Sequence, residues 1–179
     1  QLLEQSKNLF INHSKMALQY AYDVIEINGD TSIIPIKENI NFAGFAFVEK
    51  DKEFRAASRF FTMFAQATEN DCDFAYLNLE IDDEQIEEFT EGTKDAEIVF
   101  FTIFYRAISK TELQNIFERI NYIINKIAKN KKRIIINYAN PSYNNYLKAD
   151  LLINTFSDSF SSLAATVVKL TGREDAMKY

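Results

Sequence analysis

Cysteine and histidine occur once each in these 179 residues, proline twice, glycine four times and tryptophan not at all. Each shortage excludes something. A lone Cys72 can form neither an intramolecular disulfide nor a CxxC metal site. A lone His13 rules out a multi-histidine metal centre and leaves one candidate base for a nucleophilic triad. It falls four residues after Leu9 and three before Met16, on the expected apolar stripe of a first helix, and no GxSxG elbow accompanies any serine. A packed, hydrogen-bonded histidine is the expectation there. Gly29, Gly44, Gly92 and Gly172 cannot be arranged into GxGxxG or GxxxxGK(S/T), so the backbone cradle for a nucleotide phosphate is missing. No cofactor and no metal is expected. No apolar run approaches the ~20 residues that span a bilayer. No linker rich in Pro, Gly or Ser interrupts the chain, and residues 1–179 read as a single domain. Positive charge is the scarcer sign, with 20 Lys and Arg against 26 Asp and Glu, a formal net charge of -6. That balance argues against sequence-independent nucleic-acid binding, which needs cations to neutralise phosphates. The one basic cluster is Lys126, Lys129, Lys131, Lys132 and Arg133. It stands at the end of a predicted helix, where it complements the carbonyl end of the dipole.

What is present is apolar and periodic. Hydrophobic residues make up 47% of the chain, enough to exclude disorder over most of it. Ile40–Val48, Asp73–Leu79, Ala96–Tyr105, Arg133–Tyr138 and Asp150–Phe156 are rich in β-branched and aromatic residues. Several are nearly continuous in hydrophobicity, as strands covered on both faces are. Between them, Leu113, Ile116, Phe117, Ile120, Ile123, Ile124 and Ile127 recur at helical steps, as do Phe54, Ala57, Phe61 and Phe64, and Phe160, Leu163, Ala164 and Val167. Ser109 with Glu112, and Asp82 with Gln85, have capping-box spacing. Asn140 before Pro141 suits a helix start, Asp158 is expected to cap the last helix, and Gly172 suits a stop.

Alternation of this kind predicts an α/β fold: a three-layer α/β/α sandwich with a mainly parallel sheet of about five to six strands. An N-terminal helix around Leu2–Tyr20 and a β-hairpin precede it. The hairpin would join Asp23–Asn28 to Ser32–Ile36 through the Gly29–Asp30 turn signal.

Open α/β sheets bind ligands beyond the carboxyl ends of their strands. Those ends fall at Glu49–Asp51, Glu80–Asp82, Arg106–Ile108, Ala139–Ser142 and Ser157–Ser159. Carboxylates cluster at Asp71/Asp73, Asp82/Asp83/Glu84 and Glu87/Glu88/Glu91. A glycosidase needs two that face each other across the scissile bond, roughly 5 Å apart for retention. Neighbours on one helix point in different directions, so these clusters read as caps and solvated faces. Tyr138, Tyr143 and Tyr146 are of a type that stacks on sugars and equally of a type that packs at strand ends.

From about Ser14 to Gly172 the sequence resembles the second domain of family 3 glycoside hydrolases, in the β-N-acetylglucosaminidase-like branch. Members enter that domain through a helix and the pattern A-x-x-S-I-x-L-L-K-N-x-x-x-L-L-P-L. Ala17–Ile36, ALQYAYDVIEINGDTSIIPI, keeps Asn28, the paired Ile33 and Ile34, Pro35 and Ile36, and replaces the lysine by Ile27. An Asn-Pro-Tyr-type turn follows later as Asn140-Pro141-Ser142-Tyr143. The pattern Y-S-D-S-x-x-S-x-A-A is met by the run from Phe156-Ser157-Asp158-Ser159 to Ala164-Ala165. The resemblance implies an enzyme that removes terminal β-linked N-acetylglucosamine, as in peptidoglycan fragments, with its aspartate nucleophile on an N-terminal (β/α) barrel outside this chain.

Some members carry a general acid in a long loop after the strand equivalent to Ala96–Tyr105. Here that loop is short, Arg106 to Ser109, and holds no carboxylate; Glu112 is the nearest. The resemblance therefore favours the branch whose acid/base pair lies on the barrel, and no catalytic residue is expected in this chain. The start at Gln1 and the stop soon after Gly172 set the expectation of a fragment of a larger glycosidase. Its partners would be that barrel and carbohydrate at the interface, facing a rim of Arg106, Asn140, Tyr143 and Asp158. A bacterial parent of this kind would work in the periplasm or cell envelope. Two rival readings stand beside it: a stand-alone ligand-binding or interaction module, and an autonomous hydrolase using Asp158, Glu49 or Glu80.

Overall fold

Each apolar run of the interior becomes a strand of one sheet. The computed structural model describes residues 2–37, 40–70, 73–105, 109 and 111–173. Helix α1 (Leu2–Asp23) and strand β1 (Glu26–Gly29) lead into β2 (Phe42–Phe47), α2 (Asp51–Thr68), β3 (Phe74–Leu77), α3 (Asp83–Gly92) and β4 (Ile98–Ile103). Then come α4 (Leu113–Ile127), β5 (Lys132–Asn137), a 3-10 turn (Pro141–Asn145), β6 (Leu151–Asn154) and α5 (Phe160–Thr171). The six strands lie in the order β1-β6-β5-β4-β2-β3, and every pairing is parallel except β1 with β6.

Side chains alternate across the strands, so each strand feeds two cores. From β4, Ile98 and Phe100 meet Phe60, Phe61 and Phe64 of α2 and Leu163, Val167 and Leu170 of α5. Val99, Phe101 and Ile103 point the other way, to Ile86 of α3 and Phe117, Ile120 and Ile124 of α4. All of β4 is buried, which is why its sequence carries no polar alternation. The absence of a side chain at Gly44 lets α2 sit close to β2, since a Cβ there would stand 2.3 Å from the Phe61 ring. Helix α5 is covered twice, by the sheet and by α1, which packs on it through Leu18, Ala21 and Tyr22. The Lys169 ammonium lies 3.6 Å from the centre of the Tyr22 ring.

Several local expectations are corrected. The antiparallel pair at the N-terminal side exists, but the second strand is β6, with Ile27 opposite Ile153 and Gly29 opposite Leu151. Gly29, at φ 109°, brings its backbone so near Asp150 that a Cβ would stand 2.3 Å from that carbonyl oxygen. The Asp30 N–H donates to the same oxygen at 2.8 Å. The Asp30 carboxylate then accepts the Ser32 N–H at 3.1 Å and folds Thr31–Ile33 into a 3-10 turn instead of a strand. The Ser32 hydroxyl, and after it Lys132, hold that carboxyl below its ordinary range.

His13 is exposed, because α1 turns Leu18, Ala21 and Tyr22 toward α5 and the His13 side toward water. The Asp82–Gln85 capping box forms. Ser109 and Glu112 instead bond side chain to side chain, and α4 starts at Leu113 with no side-chain cap. The cap of α5 is Ser159, whose Oγ accepts the Ser162 N–H at 3.2 Å, one residue beyond Asp158. Ser157 Oγ accepts the Ser159 N–H at 3.0 Å and fixes that register. Three of the five basic residues are tied down: Lys131 to the Lys94 carbonyl at 2.5 Å, Lys132 to Asp30 at 3.2 Å, Arg133 to Asp150 at 3.4 Å.

Candidate functional site

Two stretches of the sheet's carboxyl edge are built differently. Where β5 and β6 end, short connections fold back over the strands and amides occupy the space. Asn137, fully buried, donates to the Asn140 carbonyl at 2.9 Å and to Asn144 Oδ1 at 2.8 Å, and accepts the Ala139 N–H at 3.0 Å. The Thr155 N–H donates to the Asn137 carbonyl at 3.1 Å and its hydroxyl to the Ser157 carbonyl at 2.8 Å. Asn154, the register partner of Asn137, directs its amide nitrogen to Glu26 at 3.5 Å.

The expected rim residues divide here. Asn140 is exposed and its Oδ1 accepts the Ser142 N–H at 2.9 Å, opening the 3-10 turn behind Pro141. Tyr143 is only 2% exposed and tilts its ring against Phe117 at 4.9 Å, so it anchors the turn from inside. Asp158 is half-buried beyond β6. Arg106 lies outside the described residues. Tyr138 is buried and stacks on Phe104, while Tyr146 stacks on Phe117 at the surface. Asn137 escaped the sequence reading. Its one signal is a polar residue near the end of an apolar run, three residues before the Asn-Pro turn.

The other stretch is open. The chain leaves β2 through α2 toward β3 and leaves β4 through α4 toward β5, and the two helices cover opposite faces of the sheet. β2 and β4 are adjacent, so the connections part between them, which is the topological switch point where ligands of such sheets bind. A cleft of about 460 Å³ lies at this edge, lined by Val48 and Glu49 after β2, Tyr76 to Glu80 at the end of β3, Phe54 of α2 and Tyr105 after β4.

Its floor is fixed. The Glu53 side chain, 1% exposed, accepts the N–H groups of Glu49 at 2.7 Å and Lys50 at 3.1 Å and so closes the start of α2. Tyr76 stands edge-on to Phe54, ring centres 4.6 Å apart. The Tyr105 hydroxyl sits 3.5 Å from the Val48 carbonyl. Burial, reinforced by Glu49, Glu53 and Glu80, pushes that phenol up to about 12. The structure thus brings Glu49 and Glu80 to one cleft and leaves Asp158 at the other stretch. Among the described residues no group of three or more His, Cys, Asp or Glu side chains could hold a metal ion, and no helix is long and apolar enough to cross a membrane.

No protein-family model and no curated protein matches the sequence. Solved structures do. A fungal multi-domain GH3 β-N-acetylglucosaminidase with a GCN5-related glucosamine N-acetyltransferase region superposes with a TM-score of 0.68 at 13% identity, over 90% of this chain and 18% of that one. A GH3 β-N-acetylglucosaminidase from Paenibacillus sp. str. FPU-7 gives 0.64 at 13% identity, over 87% of this chain and 29% of its own. The β-glucoside phosphorylase BglX gives 0.60 at 14% identity, over 90% of this chain and 30% of its own. The chain therefore has the fold of one region of GH3 proteins and spans less than a third of their length.

Proposed function

We propose that this chain is the second, non-catalytic domain of a β-N-acetylglucosaminidase-like GH3 enzyme, working beside a (β/α) barrel on terminal N-acetylglucosamine such as that of peptidoglycan fragments. The observation that carries the reading is the fold match over 90% of this chain but only 18% of the longer one. The ordered sequence motifs at Asn28–Ile36, Asn140–Tyr143 and Ser157–Ala165 agree with it. The barrel would face the rim of Arg106, Asn140, Tyr143 and Asp158, with Tyr143 serving from within, and carbohydrate would lie at that interface. Helix α1 adds support. Phe10 is 71% exposed and Tyr20 67%, with Met16 and Val24 beside them, and exposed apolar patches of this kind mark surfaces that another domain covers. In a bacterial parent the setting would be the periplasm or cell envelope.

The test is twofold. The coding sequence upstream of Gln1 should encode a barrel, and the purified chain should not hydrolyse an aryl β-N-acetylglucosaminide. Turnover by the chain alone, lost on changing Glu49 or Glu80 to glutamine, would overturn the reading. A second reading, a binding module without a hydrolase partner, is favoured by the open cleft; a start codon directly before Gln1 would support it.

A further inference from the structure

The cleft at the ends of β2, β3 and β4 has no part in the glycosidase-domain reading. We infer that it is a binding site for an organic cation, a guanidinium or alkylammonium group, held between the Glu49 and Glu80 carboxylates and the Tyr76 ring. Four observations point this way. First, the volume of about 460 Å³ is that of a small-molecule site, and it lies where sheets of this topology bind ligands.

Second, neither Glu49 nor Glu80 has an ion-pair partner among the described residues, although other carboxylates do, such as Asp30, Asp150, Glu69 and Glu91. The Arg119 guanidinium, which reaches the backbone on both sides of Glu80, is already spent on the carbonyls of Leu79 and Ile81. Third, the start of α2 would ordinarily favour an anion, but the buried Glu53 takes the N–H groups of Glu49 and Lys50 that lead into it, and Asp51 and Glu53 place two carboxylates in its first turn. What the cleft offers a ligand is therefore negative charge. Fourth, Tyr76 is 40% exposed on the wall, and an aromatic face beside carboxylates attracts cations further. Among the described residues, the only charged side chains in the cleft's lining are Glu49 and Glu80, which a phosphate or carboxylate ligand would have to face.

The inference does not rest on the glycosidase reading and can fail or stand separately from it. The experiment is a titration of the isotope-labelled 179-residue chain with L-arginine amide, followed by backbone amide shifts, with neutral N-acetylglucosamine as the comparison. Saturable shifts at Glu49, Asn78 and Glu80 are expected from the arginine amide, weakening with added salt. Glu80→Gln should weaken binding by about tenfold, the loss of one charge-assisted contact, and Glu49→Gln with Glu80→Gln should abolish it. Tyr76→Leu, which keeps an apolar wall, should weaken it less. Absence of saturable shifts, equal binding by the double variant, or equal binding of the neutral sugar would each overturn the site. So would binding that emerges only after Arg106→Ala, since the chain's own guanidinium would then be the occupant.

Discussion

Along one sheet edge, β5 and β6 end in buried amides, with Asn137 spending its hydrogen bonds inside the protein, whereas β2, β3 and β4 end among carboxylates that face water. Both stretches read alike in sequence: an apolar run, then Asn, Glu, Asp or Ser. The difference arises from what the chain does next. After β5 it returns through a single 3-10 turn to the neighbouring strand, and the returning backbone brings carbonyls and N–H groups that must be satisfied away from water. Asn137 supplies three of those bonds. After β2 and β4 it departs into helices on opposite faces, and among the described residues nothing folds back between them. Polar residues are structural in the first case and available in the second.

That contrast can be broken most sharply at Asn137. Asn137→Ala leaves the buried Ala139 N–H without its acceptor and Asn144 Oδ1 without its donor, while the Asn140 carbonyl keeps the Tyr143 N–H, and the expected loss is about 2 kcal/mol in urea unfolding. At the open stretch, Glu80→Gln should change stability by less than about 0.5 kcal/mol, as surface substitutions do. Equal losses at the two positions would mean that both stretches are structural and that the cleft is merely a gap between caps.

A smaller effect sharpens the exit from the closed stretch. Ser159→Ala removes the cap of α5 and should cost about 1 kcal/mol, while Asp158→Ala should cost less. The reverse order would move the cap back to Asp158 and shift the start of the helix by one residue.

The strands were legible because their burial on both faces leaves long apolar runs, and α2, α4 and α5 because their stripes repeat at helical steps. The Gly29–Asp30 turn was legible as a turn, but not as the place where β1 docks on β6. That partner is 128 residues away where Glu26 meets Asn154, and only the close approach at Asp150 fixes it. His13 was misplaced because α1 has apolar residues on both sides, and periodicity cannot say which side a helix buries when the second is left to solvent. Of the candidate site, the strand ends were foreseen and the division between them was not. Whether Glu49 and Glu80 share a cleft depends on strand order, and β3 lying outside β2 cannot be read from local pattern.

The smallest expected effect concerns Tyr105, which lies between the buried core and the open cleft. Its phenol is held at about 12, first by burial and then by the nearby glutamates. An unfolded chain ionises tyrosine near about 10. The folded protein therefore grips this proton more tightly, so the stability it contributes is full below about pH 10 and is lost as pH rises through the folded value. In urea unfolding measured at rising alkaline pH, Tyr105→Phe should decline less steeply than the unaltered chain. At neutral pH the two should nearly coincide, because the hydroxyl's bond to the Val48 carbonyl is long at 3.5 Å. Changing Glu49 and Glu80 to glutamine should lower the Tyr105 value without restoring it to the ordinary one, since burial is the larger cause. Full restoration would make the field of the carboxylates the main cause and place the phenol in water, as much a part of the open cleft as Glu80. No change would put Tyr105 wholly in the core, beyond the reach of anything the cleft binds.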